Sequence, residues 1–164
     1  MRTFFRYYPT KESVLFWGEL AWLESFAETY HGHPDSVSDV DAMCATFIEL
    51  APSLNRRRLS LFKRALASSP TLRGLEADHL RGDRELVAAA IAARRGLRQP
   101  DEACGLLAAV GLLTYTRAMD AWLARPATGA KLTEHIVEEF ELLAEALMQE
   151  RAAPRQQPRR RGSV

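Results

Sequence analysis

The sequence predicts an all-α fold, a bundle of about six helices, and three observations carry that expectation. Apolar residues recur at i, i+3, i+4 and i+7 along most of the chain, the spacing that lines one face of a helix. No stretch alternates apolar and polar residues with the β-branched enrichment of a strand. Capping residues and prolines stand before the apolar runs, and glycines or prolines stand after them. With 47% hydrophobic residues in 164, one compact domain with a substantial core is the expected organisation.

The first long helix is expected after Pro9, with Thr10 as N-cap and Glu12 near the positive end of the helix dipole. It carries Leu15, Phe16, Leu20, Leu23, Phe26 and Tyr30, is widened by Trp17 and Trp22, and stops at His31-Gly32-His33-Pro34. The second runs from about Ser38 to Leu50, where Val40, Met43, Cys44, Phe47 and Ile48 follow the helical rule throughout and Pro52 ends it. A third, Asn55 to about Ser68, mixes Leu59, Phe62 and Leu66 with Arg56, Arg57, Arg58, Lys63 and Arg64. Ser69-Pro70 reads as an N-cap followed by proline at the first helical position. The fourth helix then extends to about Arg95, with Leu72, Leu75, Leu86, Val87, Ala90 and Ile91 inward, Gly82 weakening its middle and Gly96 just past its end.

Two long helices close the chain. One starts at Gln99-Pro100 and reaches about Ala124, with Gly105, Ala108, Ala109 and Gly111 leaving little side chain on part of its surface. The other, about Leu132 to Arg151, carries the stripe Leu132, Ile136, Phe140, Leu143 and Leu147, extended sideways by Val137 and Leu142. Helices this apolar could bury one face internally and another against a second copy. The expected dimer interface is therefore Ala109, Leu113, Leu132, Ile136, Phe140, Leu143 and Leu147.

Charge and composition exclude several classes. The net charge is +1, yet five of the 22 basic residues (Arg151, Arg155, Arg159, Arg160 and Arg161) fall in the last fourteen positions, which hold no acid. The remaining body is mildly acidic, a poor match for phosphates. The proline- and arginine-rich end reads as a disordered basic tail over 153–164. No run of ~18 apolar residues suggests a membrane span, and MRTFFRYYPTKE has no signal-peptide pattern. Cys44 and Cys104, both in apolar helical patterns, read as buried free thiols, which suits a cytoplasmic location.

Catalytic chemistry has no recognisable carrier. There is no Ser/His/Asp signature, phosphate loop, CxxC or HExxH. His31 and His33 form the only local histidine pair and lack a further ligand at metal spacing. His79 and His135 read as solvated, as does the acidic run Glu138, Glu139 and Glu141. Neither an enzyme, a metal nor a cofactor is expected.

The segment Arg2-Thr3-Phe4-Phe5-Arg6-Tyr7-Tyr8-Pro9-Thr10-Lys11-Glu12 is similar to one place in TetR-type transcriptional regulators. There a recognition helix ends in an aromatic pair, and an aromatic-Pro-Ser/Thr-Lys-Glu turn opens the next long helix. The later stretches Arg56-Arg57-Arg58-Leu59 and Ser69-Pro70-Thr71-Leu72 look like a branch of that family associated with acyl-CoA sensing. The resemblance implies a ligand-binding and dimerisation domain over 10–152, preceded at 1–9 by the remnant of a helix-turn-helix recognition helix. It also implies that Arg2, Thr3, Tyr7 and Lys11 would face DNA, with Lys11 on a phosphate. Phe5 departs from the pattern by lacking a hydroxyl. Met1 stands where the recognition helix should already be partly complete, so DNA reading is expected only of a full-length form.

The expected function is ligand-responsive transcription regulation by a homodimer, this chain being its effector-binding body. The alternative is a headless protein that sequesters a ligand or binds a partner without reading DNA. The excess of large apolar residues on the first four helices points to a pocket bounded by Phe16, Leu20, Met43, Phe47, Phe62, Leu66 and Tyr115, with Thr114 and Thr116 as weaker polar neighbours. Its effector would be a hydrophobic or amphipathic small molecule, acyl-CoA-like by the resemblance. Each of these aromatics reads more often as ordinary core than as cavity wall. Arg56, Arg57 and Arg58 read either as a solvated face or as an anchor for an anionic ligand.

Overall fold

The computed structural model describes residues 17–152, and over them the chain is helical with no strand. Six α-helices follow in order: α1 (Trp17–Gly32), α2 (Asp39–Leu50), α3 (Arg56–Ser68), α4 (Pro70–Arg94), α5 (Glu102–Ala124) and α6 (Leu132–Ala152), with a 3-10 turn (Ala51–Ser53) between α2 and α3. The expected Thr10 cap, the remnant at 1–9, the tail at 153–164 and Phe16 lie outside the described residues, as does the side chain of Leu20.

The boundaries follow from local chemistry. Ser38 accepts from the Asp41 amide at 3.1 Å at the start of α2, and Asn55 accepts from the Arg58 amide at 3.0 Å at the start of α3. Ser69 caps α4 through the Leu72 amide at 3.3 Å, with Pro70 in its first turn. For α5 the cap is Asp101, one residue beyond the expected Gln99-Pro100 start, because its carboxylate reaches the Cys104 amide at 2.8 Å. Gly96 takes φ +69 after α4. Its amide meets the Ala93 carbonyl at 3.0 Å while the Leu97 amide meets Ala92 at 2.9 Å, a Schellman closure that favours glycine there.

Helix α5 packs along α6 and α4, and α2 lies against α1, α5 and α6. Between them sits one core: Phe26 and Tyr30 from α1, Met43 and Phe47 from α2, Val87 and Ile91 from α4, Cys104, Ala108 and Tyr115 from α5, and Ile136 and Phe140 from α6. Fully burying a side chain of the size of Phe, Met or Ile contributes about 1.5–3 kcal/mol, so this cluster dominates stability. Close approach is built into α5. A Cβ at Gly111 would stand 2.7 Å from the Met43 Sδ.

That packing corrects the expected interface. Leu132, Ile136 and Phe140 are only 4%, 0% and 5% exposed within the single chain, so they offer a second copy almost no surface. The small residues Ala108 and Gly111 likewise face the chain's own core, while Ala109 and Leu143 are half-buried. Leu113 and Leu147 remain open at 62% and 55%, and they are joined by Leu106 at 66% and Leu142 at 52%. His135 is also corrected: at 2% exposed it belongs to the interior, whereas His79 is exposed.

A polar cluster locks the α1–α2 connection to the end of α4. Asp39 accepts from the Tyr30 hydroxyl at 2.6 Å and pairs with Arg94 at 2.9 Å and Arg95 at 2.7 Å. Arg94 also donates to the carbonyls of Pro34 and Val37. Both cysteines are free thiols, and burial, reinforced by Asp41 and Glu141, pushes the Cys44 thiol up to about 11. No helix among the described residues is long and apolar enough to cross a membrane.

Candidate functional site

Three of the expected pocket residues meet in the interior, and Trp22 joins them. Phe47 on α2 stacks on Tyr115 of α5 with ring centroids 4.2 Å apart. The Trp22 ring of α1 lies 5.8 Å from Phe47 and 5.4 Å from Tyr115, within 9° and 16° of parallel. Phe47 is met by Phe26 at 5.3 Å and by Phe140 at 6.0 Å, both tilted, and Met43 fills the space beside Gly111. Such pairs contribute about 0.5–1.5 kcal/mol each beyond area burial, so the stack adds to the stability of the core.

Two polar atoms break this apolar cluster. The Tyr115 hydroxyl and the Trp22 Nε1 are buried with no hydrogen-bond partner among the described residues. Burial alone holds the Tyr115 phenol well above its ordinary pKa, so it is a neutral O–H. Thr114 and Thr116 were the other expected polar neighbours. Each donates its hydroxyl back into its own helix, to Val110 at 2.9 Å and Leu112 at 2.8 Å, so neither proton is available.

Phe62 and Leu66 stand apart from this group. Leu66, 5% exposed, and its α4 neighbour Leu72, 8% exposed, are buried outside the central cluster, and Phe62 is half-buried on α3. The contribution of Trp22 and Phe26 was legible as an i, i+4, i+8 row ending at Tyr30, a signal weaker than the leucines around it.

The basic cluster divides by role. Arg56 lies over the Trp122 ring at 4.8 Å and donates to the Leu123 carbonyl at 3.4 Å and to that of Arg125, closing the C-terminal end of α5. Its guanidinium is thus occupied, contrary to the anion-anchor reading. Lys63 pairs with Asp120 at 3.1 Å. Arg57 and Arg58 are exposed and carry no ion pair among the described residues.

The histidines in the last turn of α1 and just after it, His31 and His33, diverge. The His31 Nε2 meets the Ala90 carbonyl at 3.0 Å, so that nitrogen donates. Thr46 gives its proton to the Ala42 carbonyl, so its oxygen accepts from the His33 Nε2 at 3.1 Å. No group of three or more metal-ligating side chains is assembled among the described residues.

A family model described as the MftR C-terminal domain matches residues 38–148, from the cap of α2 into α6. The chain belongs to the TetR-type family of C-terminal regulator domains. A comparison with curated proteins finds no matching relative. The family match spans Met43, Phe47 and Tyr115, and with them the α2 and α5 contributions to the TetR-type body's aromatic stack. Arg2, Thr3, Tyr7 and Lys11, which the resemblance aimed at DNA, lie outside the described residues.

Proposed function

We propose that this TetR-type body is the effector-binding and dimerising part of a ligand-responsive transcription regulator that works in the cytoplasm. The observation that carries the reading is the pair of buried, unpartnered polar atoms on Trp22 and Tyr115 inside an otherwise apolar stack. Mostly apolar surroundings with a few placed polar groups are what small-molecule sites offer. The family's C-terminal domains generally dimerise, bind small effectors and are not enzymes.

The effector is a hydrophobic or amphipathic small molecule. An acyl-CoA-like ligand suits the branch resemblance, with exposed Arg57 and Arg58 as phosphate contacts in place of the occupied Arg56. In the full-length form the domain would be joined to a helix-turn-helix head, with Arg2, Thr3, Tyr7 and Lys11 at the DNA side. Ligand and DNA binding are then coupled reciprocally through two conformations of a dimer. No cofactor takes part.

The dimer would form on α5 and α6 through Leu106, Ala109, Leu113, Leu142, Leu143 and Leu147, of which Leu106 and Leu113 lie seven residues apart on one helix face. Thermal denaturation with a long-chain acyl-CoA and its free fatty acid tests the effector reading. Binding at 100 times the dissociation constant raises stability by about 2.7 kcal/mol. Melting curves that none of these amphiphiles moves would overturn it.

A further inference from the structure

We propose that the buried end of the effector is a neutral hydrogen-bond acceptor, a carbonyl of ketone, ester or amide type, held by the Trp22 Nε1–H and the Tyr115 O–H. The inference rests on the effector-binding reading and specifies its chemistry. An indole N–H can only donate, and a neutral phenol can donate as well as accept. Both groups are buried and unpartnered among the described residues, and Tyr115 is 4% exposed. They sit on adjacent rings 5.4 Å apart and 16° from parallel, so the two donor bonds lie in nearly parallel planes at the ring edges.

Phe47 lies 4.2 Å from Tyr115 and covers one of its faces, which leaves the ring edge with its hydroxyl for a ligand. Among the described residues, two basic side chains of α3 are already committed and offer an anion no free charge. Arg56 is held by the Leu123 and Arg125 carbonyls and by Trp122, and Lys63 by Asp120. The neighbouring hydroxyls of Thr114 and Thr116 are committed to carbonyls of α5. What remains is a pair of neutral donors in an apolar wall, which complements an uncharged acceptor on an apolar chain and leaves an alkane with two unsatisfied protein groups.

The test uses three matched probes on the full chain: 2-undecanone, n-undecane and decanoate. Calorimetry should show the ketone binding at least tenfold tighter than the other two. Tyr115→Phe should weaken the ketone by about tenfold, leave the alkane unchanged, and melt no lower than the wild type without ligand, because an unpaired hydroxyl has been removed. Trp22→Phe should act in the same direction on the ketone. In the infrared the bound ketone's C=O stretch should fall on wild-type protein and recover towards its free value on Tyr115→Phe. Equal binding of all three probes, or full ketone affinity in Tyr115→Phe, overturns the proposal and leaves the effector reading standing. Failure of every probe and of the acyl-CoA to bind overturns both.

Discussion

Asp39 shows how one carboxylate organises residues distant in sequence. It joins Tyr30, Arg94 and Arg95, and the Asp39 and Arg94 side chains are only 13% and 8% exposed. Burial pulls its carboxyl up, but the hydrogen bonds from Tyr30, Arg95 and Arg94 outweigh that and hold it below the usual carboxylate range. A folded pKa below the unfolded one gives stability that is present above the unfolded pKa and lost as pH falls through the folded one. Melting temperature should therefore drop as pH falls below about 4, the unfolded carboxylate value, and Asp39→Asn should flatten that dependence. Asp39→Ala should cost about 3 kcal/mol in denaturant unfolding, because Arg94 is left buried without its counter-charge. A loss under 1 kcal/mol would show the pair to be screened by water.

At the scale of elements, two helical glycines should answer alanine with opposite signs. Gly82, inside α4, has nothing within 4 Å of an added Cβ, so Gly82→Ala should stabilise by about 0.5–1 kcal/mol through the unfolded chain. Gly111→Ala gains the same propensity but drives a Cβ into Met43, whose Sδ would be 2.7 Å away and whose side chain is 1% exposed. Overpacking of that kind costs about 1–3 kcal/mol, so a net loss of stability is expected. Chemical denaturation of the two variants side by side checks the signs. Arg56 ties α3 to α5 in the same concrete sense. Arg56→Ala should cost about 1–2 kcal/mol and red-shift tryptophan emission as Trp122 loses its cover, whereas Arg57→Ala should do neither.

For the whole molecule, the question is which apolar surface remains after the chain has folded on itself. Leu106 and Leu113, at 66% and 62% exposed, stand on one face of α5, and a stable two-fold contact usually buries about 1,200–2,000 Å². The double variant Leu106→Glu, Leu113→Glu should sediment as a folded monomer with unchanged helical circular dichroism. Phe140→Glu, by contrast, places a charge at a position 5% exposed and should unfold the protein without first yielding a monomer. A wild-type chain that sediments as a monomer at tens of micromolar would remove the dimer from the proposed function.

The helices and most of their ends were determined locally. Ser38, Asn55, Ser69-Pro70 and Gly96 act within a turn of themselves, so a reading of neighbours finds them, and the periodicity of α2 identifies Met43 and Phe47 as an inward face. The short motif at residues 2–12 likewise pointed to the family without any fold in view. Partners far apart in the chain were decided only by tertiary structure. Arg56 could be a free anion anchor until Leu123 and Arg125, 67 and 69 residues away, take up its donors. Periodicity also states that α6 has an apolar stripe without saying what covers it. Leu132, Ile136 and Phe140 would serve an internal core or a dimer equally well, and the packing of α2 and α5 against α6 assigns them to the core. Trp22 and Tyr115 share that dependence. A single helix shows where their rings sit, and only the assembled bundle buries the N–H and the O–H together.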